Sequence, residues 1–178
     1  MGMPFWNNMS PRNRRLITIA FVFVASATAT GLATLTPMSK QDAETTYGQL
    51  NQTVTSMKEN GALLQDIFGN NLMITIIMLI PFIGPILGFY AFYNTGVVIG
   101  ATGIVHGFHP LIGYAALWLT PIAWLEFAAY STAIAASLWL TWRLIHGGGM
   151  HELVNTSKFL SICTLILLLG AIIEAALV

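Results

Sequence analysis

The chain has 178 residues, of which 56% are hydrophobic and 8% charged, and its seven basic and seven acidic residues cancel to zero formal charge. A soluble domain carries about a quarter of its residues as ions, so a water-soluble globule is excluded, and the zero balance gives no electrostatic reason to expect nucleic acid. With a mean hydropathy of +0.72 and roughly 20 apolar residues needed per crossing, the composition predicts an all-α integral membrane bundle of about five spans. Cys163 is the one cysteine, so no disulfide can form within the chain.

Residues 1–15 are polar and end in Arg12, Arg14 and Arg15. Basic residues directly before an apolar run place the N-terminus in the cytoplasm by the positive-inside rule. Residues 16–36 then form the first transmembrane helix. Ala25-Ser26-Ala27 and Ala27-Thr28-Ala29 resemble small-residue cleavage sites, but the segment is read as an uncleaved anchor. Residues 37–69 are expected outside the membrane. Thr36-Pro37 offers a cap and a first-turn proline. Tyr47, Leu50, Val54 and Met57 then recur at three and four among Lys40, Asp42, Glu44, Lys58 and Glu59, the pattern of an amphipathic surface helix. Leu63, Leu64, Ile67 and Phe68 form an interfacial patch leading back to the bilayer.

Residues 70–145 form a membrane core of three interrupted spans. Pro81, Pro85, Pro110 and Pro121 mark the breaks, because proline removes a backbone donor and clashes with the preceding turn. At membrane depth the freed carbonyls need partners, so the middle helices are expected to be kinked or discontinuous. Leu79-Ile80-Pro81 and Leu119-Thr120-Pro121 match at an offset of 40, as do Tyr90 and Tyr130; chance and a transporter-like repeat are both open. Residues 146–158, flanked by Arg143 and Lys158, read as a cytoplasmic loop. Residues 159–178 make the last span and leave the C-terminus outside the cell.

Gly96, Gly100, Gly103 and Gly107 line one side of the third span, and Ala129, Ala133 and Ser137 one side of the fourth. Lipid gives helices no hydrophobic reason to pair, so such small residues mark close backbone approach, within the chain or to a partner subunit. Glu126 is the one charge between residues 72 and 142. An ionised acid at the bilayer centre costs ~2.5–3.5 kcal/mol on insertion scales. It is therefore read as a buried polar residue, either engaging carbonyls freed by Pro121 or serving a proton relay or ion site. His106 and His109 have the spacing of two metal ligands on one helical turn, without a cysteine or second carboxylate beside them. His146, Met150, His151 and Glu152 form a looser cluster. No nucleophile elbow, phosphate-cradling loop or acid pair is present, so the sequence indicates neither a catalytic residue nor a cofactor.

Three segments resemble one family. Asp66-Ile67-Phe68-Gly69-Asn70-Asn71-Leu72 resembles the start of the second span in the stage II sporulation protein M family. Gly84-Pro85 and Asn94-Thr95-Gly96-Val97-Val98-Ile99-Gly100 resemble its glycine-rich third span, where Asn and Gly are adjacent and Thr95 separates them here. Pro121-Ile122-Ala123-Trp124-Leu125-Glu126 resembles its Pro-His-Gly-x-x-Glu element, with Ile122 and Ala123 in place of the His and Gly. The resemblance covers residues 66–140 and implies a five-span membrane helper within a multiprotein assembly, which in sporulating bacteria remodels the septal wall. The first expectation is thus a non-catalytic subunit that scaffolds or stabilises a larger membrane complex, with other membrane subunits and lipid as partners. Two alternatives are a small transporter or channel using Glu126, and an accessory subunit of a membrane metalloenzyme such as a copper-dependent monooxygenase.

Overall fold

The computed structural model describes residues 9–59 and 61–177, so residues 1–8 of the expected cytoplasmic start, Asn60 and Val178 lie outside the described residues. All regular structure in the described residues is helical. The helices are α1 (Pro11–Ala33), α2 (Lys40–Glu59), α3 (Leu63–Met78), α4 (Gly84–His106), α5 (Pro110–Leu117), α6 (Pro121–His146) and α7 (Gly149–Leu177). α1, α4 and α7 are each long and apolar enough to cross a membrane. α5 and α6 form a fourth candidate as a pair bent by 83°. α3, apolar but of 16 residues, is shorter than the ~20 residues a full crossing takes, so the expected five spans count as three or four by length and composition.

Prolines open helices here and do not kink them. Pro11, Pro85, Pro110 and Pro121 each stand in the first two positions of a helix, where the missing N–H would lack an intrahelical partner anyway. Pro81 lies in the turn between α3 and α4. There Ile83 donates to the Pro81 carbonyl at 2.8 Å, and the N–H of Phe82, at a left-handed φ of 66°, donates to Thr141 Oγ1 at 2.9 Å.

Three boundaries differ from the sequence reading. α2 begins at Lys40, because Ser39 and Asp42 cap it reciprocally: Asp42 N–H donates to Ser39 Oγ at 3.1 Å and Ser39 N–H to Asp42 Oδ2 at 3.4 Å. Thr36 remains tied to α1 through a bond from its N–H to the Ala33 carbonyl. The first helix starts at Pro11 instead of residue 16, capped by Ser10, whose hydroxyl accepts from Asn13 N–H. The loop expected over residues 146–158 is a tight turn: Gly147 and Gly148 have φ of 89° and 87°, and α7 runs from Gly149.

α6 packs against α1, α3, α4 and α7, with α7 its most extensive neighbour. Val22, Met78, Phe92, Phe127 and Ile134 fill the core between these helices. α5 lies over α1 and α4, held by Tyr114 Oη donating to the Ala27 carbonyl at 2.8 Å. The break before Pro121 is covered by rings: Trp124 donates to the Trp118 carbonyl at 2.9 Å, and Trp118 packs on Phe127 with centroids 4.8 Å apart.

Candidate functional site

The small residues of α4 and α6 do several different things. A Cβ on Gly96 would collide with the Thr30 carbonyl of α1, and one on Gly100 would lie 2.6 Å from the Thr34 carbonyl oxygen. These two glycines let the backbones of α1 and α4 touch, and Thr30 Oγ1 donates across that contact to the Phe92 carbonyl at 3.1 Å. Gly103 faces the chain's own turn at Phe108 and Pro110. Gly107 is a correction to the packing stripe: with φ of 74° and nothing near its Cβ position, it ends α4 in the left-handed conformation. On α6, Ala129, Ala133 and Ser137 are buried. The Ala129 carbonyl accepts from Cys163 Sγ of α7 at 3.3 Å, and Ser137 Oγ donates to the Ile80 carbonyl at 2.8 Å.

Glu126 sits in the second turn of α6, and its partner is on another helix. Asn71 Nδ2 of α3 donates to Glu126 Oε1 at 2.7 Å, and Tyr130 Oη of α6 donates to Asn71 Oδ1 at 2.9 Å. Thr75 Oγ1 in turn donates to the Asn71 carbonyl at 2.9 Å. The freed carbonyls before Pro121, expected from the sequence to engage Glu126, are taken by the Trp124 indole and the Thr120 hydroxyl. Asn71 was missed as a site residue, although it stands within the Asn70-Asn71 pair that carries the resemblance. A second acid, Glu174, lies near the end of α7. Among the described residues no lysine, arginine or histidine forms an ion pair with either acid.

Glu126, Asn71 and Tyr130 border a cavity of about 540 Å³ between α3, α4 and α6. Asn70, Asn94 and Thr95 add polar groups to its wall, Phe92 and Phe127 add rings, and Leu50 of α2 and Leu117 of α5 also border it. The repeat-matched tyrosines differ in setting, since Tyr90 is exposed and Tyr130 belongs to this network.

The histidines are used locally. His106 Nδ1 lies 2.9 Å from the Thr102 carbonyl and its ring meets Tyr47 edge-on, whereas His109 Nδ1 accepts from Leu111 N–H and caps α5. Among the described residues no group of three His, Cys, Asp or Glu that could hold a metal is present, and His106 and His109 are each engaged locally through Nδ1. At the opposite end, Arg15 of α1 makes a bidentate pair with Glu152 of α7, both bonds 2.6 Å. Glu152 is 2% exposed, and Trp139 and Phe159 flank the guanidinium.

A comparison with known families decides what this bundle is. The family model for stage II sporulation protein M matches residues 17–177, from the second turn of α1 to the end of α7. The chain belongs to that family. The match reaches beyond the three segments of resemblance and takes in the first and last helices. With the apolar helices, it makes the chain a membrane protein. No curated protein and no solved structure matches the chain.

Proposed function

We propose that the protein is a non-catalytic membrane subunit that stabilises or scaffolds a larger complex through the helix outside its bundle. The observation that carries this reading is the second half of α2. From Gln49 to Glu59 every residue except Met57 is exposed, while the first half packs on α4 through Ala43 and Tyr47. Helices shorter than ~12–15 residues are marginal in water without tertiary cover. A projecting half-helix with Leu50 and Val54 on it suits a surface that a partner subunit completes.

The orientation we infer is cytoplasmic for the N-terminus and extracytoplasmic for α2 and the C-terminus. Five of the seven basic residues, Arg12, Arg14, Arg15, Arg143 and Lys158, stand near the start of α1, the end of α6 or the start of α7. The Arg15–Glu152 pair joins the first and last of these. The other two, Lys40 and Lys58, are on α2. Such asymmetry favours the basic end inside. The test of function is co-purification in mild detergent from native membranes. A fixed set of membrane subunits should accompany the wild-type chain and be lost when Thr53 and Ser56 are both changed to Arg; recovery of the chain alone from both preparations would refute it.

A second reading, a small transporter, is favoured by one observation, the polar-walled cavity at Glu126. Flux in reconstituted vesicles that Glu126→Gln abolishes would support it, and absence of flux from wild-type vesicles would remove it.

A further inference from the structure

Asn70 stands near the middle of α3, and Asn94 and Thr95 near the middle of α4. All three are exposed and line the same 540 Å³ cavity as Glu126, which Leu50 of α2 also borders. An amide or hydroxyl facing hydrocarbon without a partner is costly. Thr95 Oγ1 is satisfied by the Ala91 carbonyl at 3.1 Å, whereas the amides of Asn70 and Asn94 meet at one void without a partner among the described residues, so the void takes polar matter.

The wall chemistry narrows what that matter is. Asn71 is already used, donating to Glu126 and accepting from Tyr130. Glu126 Oε2 makes no hydrogen bond among the described residues, and the side-chain oxygens of Asn70 and Asn94 can turn to the same space. Phe92 and Phe127 border the space but are buried against each other and Trp118, and no lysine, arginine or histidine lines the cavity. A carboxyl and neutral acceptors together recognise a cationic nitrogen, whereas an anion would meet no positive group. The volume lies within the ~300–1,000 Å³ of small-molecule sites.

We propose that this cavity binds an organic ammonium group, with Glu126 as its counter-ion and the Asn71–Tyr130 pair holding that carboxyl in place. The ammonium can come from a free small amine or from the ethanolamine headgroup of a lipid. The proposal goes beyond the subunit reading and does not depend on it.

The test measures thermal unfolding of the full chain in nanodiscs. One arm uses phosphatidylglycerol alone and titrates ethanolammonium or tetramethylammonium chloride; the other replaces part of the lipid by phosphatidylethanolamine. A saturable rise in melting temperature is expected in at least one arm, and the arm that responds identifies the source. Glu126→Gln and Asn94→Leu should each weaken the apparent affinity by roughly tenfold or more. Asn94→Leu serves as the second variant because its side chain is exposed, so it decides the matter if Glu126→Gln fails to fold. The proposal is overturned if neither arm shifts the wild-type chain, if the folded variants respond as wild type does, or if sodium chloride at equal concentration gives the same rise.

Discussion

Gly100→Ala tests the close contact between α1 and α4. The added Cβ would lie 2.6 Å from the Thr34 carbonyl oxygen and 3.3 Å from its carbon. Real Cβ atoms essentially never come closer than 3.0 Å, and the obstacle is backbone, so the helices must part by several tenths of an ångström. Overpacking of this kind costs about 1–3 kcal/mol, partly offset by the ~0.5–1 kcal/mol that alanine gains over glycine within a helix. The net loss of about 1–2 kcal/mol corresponds to a melting temperature lower by roughly 2–8 °C for a chain of this size. Gly48→Ala is the matched control, because nothing lies within 4 Å of its Cβ position on α2; it should melt at or slightly above wild type. The assay is thermal unfolding of purified protein in detergent, followed by size-exclusion fluorescence. A Gly100→Ala protein as stable as the Gly48→Ala control would refute the close-contact reasoning.

Three other outcomes are expected. Arg15→Ala should cost about 3–5 kcal/mol, since it strands the buried Glu152 carboxylate, and the double change Arg15→Met with Glu152→Leu should recover most of that loss in the same melting assay. Glu126→Gln should fold nearly as well as wild type, because the glutamine oxygen can still accept from Asn71, whereas Glu126→Leu should lose ~1–3 kcal/mol by leaving that amide unsatisfied; equal melting of the two would show that the bond contributes nothing. In a Cys163→Ser background, a cysteine at Gly149 should resist impermeant maleimide in sealed cells while one at Thr53 reacts, and labelling at 149 from outside would reverse the proposed orientation.

The helical membrane architecture was legible because hydropathy is a local property, readable wherever apolar residues run long enough. Cap positions were less so. Thr36-Pro37 and Ser39 both carry start signals, and the reciprocal Ser39–Asp42 bonds decide for the second. Residues 146–158 read as a loop because they are polar and carry three glycines at 147–149, yet helix geometry tolerates polar residues where α7 packs through Glu152 and Thr156. The stripe from Gly96 to Gly107 has one spacing and three uses, since spacing alone does not distinguish a helix contact from a left-handed cap. Glu126 stood out as a lone acid, but its partner lies 55 residues away on α3, and Arg15 and Glu152 are 137 apart. Pairings of that kind are set by how the helices pack, which no local pattern encodes.

On the reading proposed above, the exposed half of α2 meets another protein. The most direct measurement is photo-crosslinking in intact native membranes, with the photoreactive residue at Thr53 or Ser56 and, as a control, at the exposed Ile86 of α4. A discrete protein adduct is expected from positions 53 and 56, and lipid adducts from position 86. Only solvent-quenched product at 53 and 56, with the chain otherwise folded and in place, would contradict it.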